Sequence, residues 1–115
     1  KIYVDVWATW CGPCKKEFEN NEALKKVLKE KGVEMLYISI DKEKDKAAWE
    51  HMIKYYKLEG NHIFASEVLV ADLRKKFNRE GSLSIPWYIL INEEGKIQEL
   101  HAKRPSQLEE LKAFL

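Results

Sequence analysis

Two cysteines separated by two residues are the side chains of this sequence with the clearest capacity for chemistry. Cys11 and Cys14 enclose Gly12 and Pro13, and they are the only cysteines among the 115 residues. A strand-like run precedes them and a helical pattern follows them. We therefore expect Cys11 at a helix N-terminus, where unpaired backbone N–H groups and the helix dipole stabilise a thiolate.

The same spacing brings Cys14 round one helical turn, so that its sulfur can form a disulfide with that of Cys11. Pro13 costs little at this point because the first N–H groups of a helix lack partners within it. Gly12 leaves the approach to Cys11 open. We predict that Cys11 attacks a disulfide, that Cys14 resolves the mixed disulfide, and that the redox-active Cys11–Cys14 disulfide works with no bound cofactor.

A structural zinc site and a pair of inert buried thiols are the alternatives to redox chemistry. Zinc needs two further ligands, but the sequence has no second CxxC pair, and its three histidines lack the usual spacing. Gly-Pro between the cysteines argues against inert thiols. The sequence predicts no metal site, and it places His51, His62 and His101 at the surface or in loops.

Length and composition exclude several classes of protein. The chain is 45% hydrophobic and 34% charged, which is typical of one globular domain covering residues 1–115. Its 20 basic and 19 acidic side chains give no basic surface for nucleic acid. The early apolar stretch, residues 2–10, is interrupted by Asp5 and is shorter than the ~20 residues of a membrane span. Because residue 1 is Lys and a strand begins at once, we expect a piece of a longer protein.

The order of predicted elements is β-α-β-α-α-β-β-α, which indicates an α/β fold. The first strand is apolar at nearly every position, so we expect it at the centre of a mixed sheet with helices on both faces. A bend is expected at Asn20-Asn21. Residues 59–66 show the weakest pattern, with only Ile63 and Phe64 to bury, and the predicted order has no strand there. The predicted strands are 2–7, 33–40, 87–91 and 96–101, and the predicted helices are 15–31, 45–60, 67–77 and a last one from 106.

Three stretches of the sequence resemble the thioredoxin superfamily. Residues 3–16, which contain Ala-Thr-Trp-Cys-Gly-Pro-Cys, resemble its active-site strand and helix and are most similar to the TlpA/ResA-like thiol-disulfide oxidoreductases. Ser84-Ile85-Pro86 resembles the cis-proline loop, and residues 87–96 resemble the strand and turn that follow. The match covers nearly the whole chain, is weakest over residues 59–80, and places the family's N-terminal β segment before residue 1.

The resemblance implies a role for several residues. Cys11 would be the nucleophile, Cys14 the resolving thiol and Pro86 the cis-proline facing the sulfurs. The backbone of Ile85 would pair with an extended substrate. The alternative for Pro86 is a simple start of an edge strand. Trp10, as a partly exposed apolar wall, completes the predicted substrate-binding set with Ile85, Gly12 and Pro13.

Asp5 interrupts an apolar strand, and a buried carboxylate without a partner costs several kcal/mol unless it becomes neutral. Thioredoxins carry an acid at this place, so the resemblance implies a raised pKa for Asp5 and transfer of the Cys14 proton to it. Many TlpA-like relatives have Asn there instead. The buried lysine that accompanies the acid in thioredoxins is matched by Tyr37. The alternative is a solvated Asp5 at a strand edge.

The resemblance further implies a monomeric enzyme that reduces protein disulfides and is recharged by an upstream electron donor. It implies an extracytoplasmic, periplasmic bacterial setting, with an anchor in a segment before residue 1. A non-catalytic thioredoxin-like interaction domain is the alternative. A peroxidase fits less well because the sequence lacks Pro-x-x-x-Thr-x-x-Cys. Residues 63–77 are expected to set specificity, and Trp87 is either a core residue or a rim contact.

Overall fold

The computed structural model describes residues 1–77 and 84–115, and within these ranges five strands form one mixed sheet. Their spatial order is β3-β2-β1-β4-β5. β1 pairs in parallel with β2 and antiparallel with β4, so the predicted central position of the first strand is confirmed. The strands are β1 Ile2–Trp7, β2 Glu34–Ser39, β3 Asn61–Phe64, β4 Trp87–Ile91 and β5 Ile97–Glu99.

The helices of the described ranges follow the predicted order, with changes at their ends. The bend expected at Asn20-Asn21 is confirmed, because a 3-10 turn, Phe18–Asn20, separates the first two helices. Gly32 adopts a left-handed conformation, with φ of 69°, and ends α2. The helices are α1 Gly12–Glu17, α2 Asn21–Lys31, α3 Lys46–Tyr55, α4 Glu67–Phe77 and α5 Leu108–Lys112.

The predicted element order was wrong in lacking a strand in residues 59–66, because β3 lies within them and pairs in parallel with β2. This strand has only four residues, which alternate between exposed and half-buried positions at the sheet edge. Such a short segment carries little hydrophobic pattern. His62, expected in a loop or at the surface, is a half-buried residue of β3 whose ring stacks on Tyr37 at 4.9 Å.

The side chains of β1 alternate between two cores, one on each face of the sheet. Val4 and Val6 pack with Trp87 and Ile89 on one face. Tyr3 and Trp7 belong to the larger core on the other face, which includes both cysteines. Since Asp5 lies between Tyr3 and Trp7 in the alternation, its side chain points to the same face as the cysteines. The larger core also contains Phe18, Leu24, Leu28, Tyr37, Leu58, Tyr88, Leu90 and Leu111.

Candidate active site

The cysteine pair lies where β1 ends and α1 begins. Cys11 has an extended backbone and caps α1, and the backbone N–H of Cys14 donates to its Sγ at 3.2 Å. The two residues form a disulfide, and their Cα atoms are 5.3 Å apart. Cys11 is 4% exposed and Cys14 is completely buried, in the order expected for a nucleophile and a resolving thiol. Gly12 and Pro13 are both exposed beside them.

A tight turn of residues 8–11 carries the chain from β1 to the cysteines. The N–H of Cys11 donates to the carbonyl oxygen of Ala8 at 3.1 Å, which closes the turn. Trp10 projects from it with 62% of its surface exposed, directly before Cys11. Trp7 is completely buried below. The predicted exposure of the Trp10 side chain is therefore confirmed. At Gly12, an added Cβ would meet no atom within 4 Å.

Pro86 directly precedes β4, and its peptide bond with Ile85 is cis, as the resemblance implied. Because Val6 pairs with Trp87, this bond is at the end of β1 from which the cysteine turn departs. Ile85 is half-buried against the core that contains both cysteines. Trp87 is 6% exposed and donates its Nε1–H to the carbonyl oxygen of Leu100 at 2.7 Å. Of the two predictions for Trp87, a core residue or a rim contact for substrate, the structure confirms the core residue.

Asp5 is buried at the centre of the sheet, 1% exposed, so a solvated place at a strand edge is wrong. Within residues 1–77 and 84–115, neither of its carboxylate oxygens has a hydrogen-bond partner. Burial raises the pKa of Asp5 well above its ordinary value, and the nearby charge of Glu17 raises it further. The structure thus provides a buried acid that holds a proton more strongly than an ordinary aspartate.

Three tyrosines surround this acid on the same face of the sheet. Tyr37 and Tyr88 are its partners in the two neighbouring strands, so the predicted place of Tyr37 opposite Asp5 is confirmed. Tyr3, two residues before Asp5, stacks on Tyr88. Burial raises the pKa of all three phenols, and the Asp5 charge raises them further. The surroundings of Asp5 therefore oppose negative charge, which favours its neutral form.

Glu17 is a buried carboxylate near the site that the sequence reasoning missed, although it lies one helical turn after Cys14. Its Oε1 accepts the backbone N–H of Ser106 at 2.9 Å, and its Oε2 accepts the hydroxyl of Ser106 at 2.8 Å. These bonds join α1 to the C-terminal segment across 89 residues of sequence. The i, i+3 spacing from Cys14 was the available signal, since it places both side chains on one helix face.

A cavity of about 720 Å³ lies beside the same end of the sheet, among the ends of β2 and β3 and helix α4. Its lining includes Ile40, Phe64, Val68 and Arg74. Val68 is 80% exposed. The cavity therefore coincides in large part with the segment expected to set specificity. In the part of the chain that the structure describes, no cluster of three His, Cys, Asp or Glu side chains could hold a metal ion.

Comparison with known proteins agrees with this geometry. The sequence model of the Redoxin family matches residues 1–115. A curated relative, thiol-disulfide oxidoreductase ResA of Bacillus thuringiensis subsp. konkukian, is 32% identical over 111 residues, which are 95% of this chain and 60% of the relative. The chain thus spans about 60% of the length of that relative.

Two solved structures share the fold over almost the whole chain. A thiol-disulfide oxidoreductase from Bacteroides fragilis is 30% identical, with a TM-score of 0.66, and the match covers 99% of this chain and 80% of that one. A thiol:disulfide interchange protein from a Bacteroides species is 23% identical, with a TM-score of 0.77 and coverage of 98% and 71%. The predicted thioredoxin-like α/β fold, with a helical insertion in the middle, is confirmed.

Proposed function

The chain belongs to the Redoxin family, and we propose that it is a thiol-disulfide oxidoreductase that reduces disulfides of other proteins. The observation that carries the proposal is the Cys11–Cys14 disulfide at the start of α1, with the cis Pro86 at the same end of β1 and the buried Asp5 on the same face of the sheet. An exposed aromatic side chain, Trp10, stands next to the more accessible sulfur. Relatives named thiol-disulfide oxidoreductases support the same activity.

The proposed reaction begins with the dithiol form. The thiolate of Cys11 attacks one sulfur of a substrate disulfide, forms a mixed disulfide with it and releases the other sulfur as a thiolate. The thiolate of Cys14 then attacks the Cys11 sulfur. This step restores the Cys11–Cys14 disulfide and releases the second substrate thiolate. Two electrons pass from the cysteine pair to the substrate, and an upstream donor returns two electrons to the pair.

Asp5 is the proposed acceptor of the proton that Cys14 loses before its attack. Cys14 is completely buried and Asp5 points to the same side of the sheet, so bulk solvent does not reach either group directly. The ionised form of Asp5 is the acceptor, and its raised pKa makes this buried carboxylate a stronger base than an ordinary aspartate. Its oxygens have no other hydrogen-bond partner among the described residues, so they are available for that proton. Ile85 and Pro86 offer the neighbouring backbone edge for an extended substrate segment.

The substrate class, the contact surface and the compartment are part of the same proposal. Protein disulfides are the substrate class, and the exposed Trp10 with residues 63–77 forms the contact surface. An extracytoplasmic setting follows from the resemblance to TlpA/ResA-like proteins. None of the described helices is long and apolar enough to cross a membrane.

Insulin reduction with the two single serine variants tests the proposal. The parent should precipitate insulin with dithiothreitol as donor, and both Cys11→Ser and Cys14→Ser should lose turnover. Cys14→Ser should accumulate a mixed disulfide, whereas Cys11→Ser should not. The chain has only these two cysteines, so the trapped species has one possible origin. If the parent had no more activity than dithiothreitol alone, a non-catalytic interaction domain would replace the proposed enzyme.

A further inference from the structure

Asp41 is a third buried carboxylate, after Asp5 and Glu17, and is 4% exposed. It follows the end of β2, borders the cavity described above and takes no part in the proposed sulfur exchange. Its oxygens accept hydrogen bonds from Ser39, the last residue of β2, and from Thr9 in the cysteine turn. The backbone N–H of Thr9 donates to both oxygens, at 3.0 and 3.1 Å, and the hydroxyl of Thr9 donates at 2.6 Å. The hydroxyl of Ser39 donates to the other oxygen at 2.6 Å.

These bonds matter because of where Thr9 lies. Thr9 is the second residue of the 8–11 turn, immediately before Trp10 and two residues before Cys11. The pairing of β1 ends at Trp7, so the buried N–H of Thr9 has no strand partner and would be costly without one. Asp41 satisfies that N–H and the adjacent hydroxyl together, and it therefore fixes the turn at its start.

A carboxylate is better suited to this place than other side chains. Three separate hydrogens, two from Thr9 and one from Ser39, converge on it, and an ionised carboxylate offers acceptors only. The backbone N–H of Asp41 also donates to the hydroxyl of Ser39 at 3.1 Å, which holds the carboxylate in position. An asparagine in its place would turn an NH₂ donor toward at least one of these donors and lose that bond.

We propose that Asp41 is a positioning residue that holds the 8–11 turn, and with it Trp10 and Cys11, in the arrangement needed to attack a protein disulfide. This inference rests on the proposed function. It leaves the bonds made and broken in the reaction unchanged. Asp41 acts before the sulfur exchange. It keeps the Trp10 side chain and the Cys11 sulfur in a fixed relative position while a folded substrate docks.

A protein substrate and a small disulfide separate this role from a general loss of structure. A protein disulfide must dock against Trp10 and the turn, whereas dipyridyl disulfide needs only access to the sulfur. In Asp41→Asn, the rate constant of the reduced protein with insulin should fall about ten-fold, while that with dipyridyl disulfide should change by less than about two-fold. Asp45→Asn removes a carboxylate four residues away that makes no capping bond, and it is the matched control.

Amide exchange and Thr9 variants complete the test. The exchange of the Thr9 N–H should become about ten-fold faster or more in Asp41→Asn, while the amides of β1 keep their protection. Thr9→Ser keeps both donors and should behave as the parent, whereas Thr9→Val should lose part of the insulin rate. In the Asp41→Asn background, the further loss from Thr9→Val should be smaller than in the parent, because the two residues share one interaction.

Equal losses on both disulfides in Asp41→Asn, or the same insulin loss in Asp45→Asn, would overturn the inference. Unchanged exchange of the Thr9 amide would overturn it as well. If the parent itself failed to reduce insulin, the proposed function would fall. The exchange of the Thr9 amide would then still decide whether Asp41 holds the turn.

Discussion

The substitution Asp5→Asn examines the buried acid at the centre of the sheet without changing its shape. Asp5 is 1% exposed, and burial followed by the Glu17 charge raises its pKa well above the ordinary value. A carboxamide has nearly the size of a protonated carboxyl group, and it does not titrate. The difference in unfolding free energy between the variant and the parent therefore reports the cost of ionising Asp5.

The sign follows from the direction of the shift. Below the unfolded value of about 4, Asp5 is protonated in both states, and the neutral acid costs the parent nothing through ionisation. As pH rises above that value, the unfolded chain releases its proton while the folded one keeps it. The unfolding free energy of the parent then falls by about 1.4 kcal/mol per pH unit, until the raised folded pKa is passed.

Urea unfolding of the oxidised proteins, followed by tryptophan fluorescence from about pH 4 to about pH 8, measures this slope. The stability of Asp5→Asn relative to the parent should increase steadily with pH over the lower part of this range. Glu50→Gln, which removes an exposed carboxylate of α3, controls for the loss of one negative charge. A difference between Asp5→Asn and the parent that stays constant with pH would refute the reasoning.

Three further predictions concern the cysteine pair and its surroundings. Asp5→Asn should slow the attack of Cys14 on a preformed mixed disulfide by about 100-fold, as loss of a general base does, without slowing its formation; an unchanged rate in stopped-flow measurements would remove Asp5 from the mechanism. In the reduced protein, Cys11 should react with iodoacetamide well before Cys14, and peptide mapping that found Cys14 to be the faster thiol would reverse the two roles. Trp10→Ala removes a side chain that is 62% exposed, so the unfolding free energy should change by less than about 0.5 kcal/mol. Its kcat/KM for insulin should nevertheless fall several-fold, and an unaltered value would exclude Trp10 from substrate contact.

Sequence patterns were informative where one strong physical requirement dominates. The apolar run of β1 requires burial on both faces and predicted the centre of the sheet correctly. The weak helix positions Asn20 and Asn21 predicted the bend, and the cysteine spacing predicted the cap at Cys11. The cis bond at Pro86 came from family resemblance, because an X–Pro sequence alone leaves the trans form strongly favoured.

The features that the sequence did not predict depend on contacts between distant segments. β3 is defined by its pairing with β2, since its four residues have too little pattern of their own. Glu17 looks like an ordinary charged helix residue until Ser106 is brought to it across 89 positions. Asp41 likewise resembles a polar residue after a strand, and only the fold places Thr9 against it, 32 residues earlier in the chain.

The equilibrium reduction potential of the Cys11–Cys14 pair tests the central claim most directly. The parent would be equilibrated in defined thiol buffers, and tryptophan fluorescence would report the oxidised fraction. A protein-disulfide reductase should give a reversible two-electron couple near or below about −250 mV, close to the thioredoxin value of about −270 mV. A value between about −120 and −180 mV would indicate an oxidase or isomerase, and the absence of a reversible couple would contradict the enzyme itself.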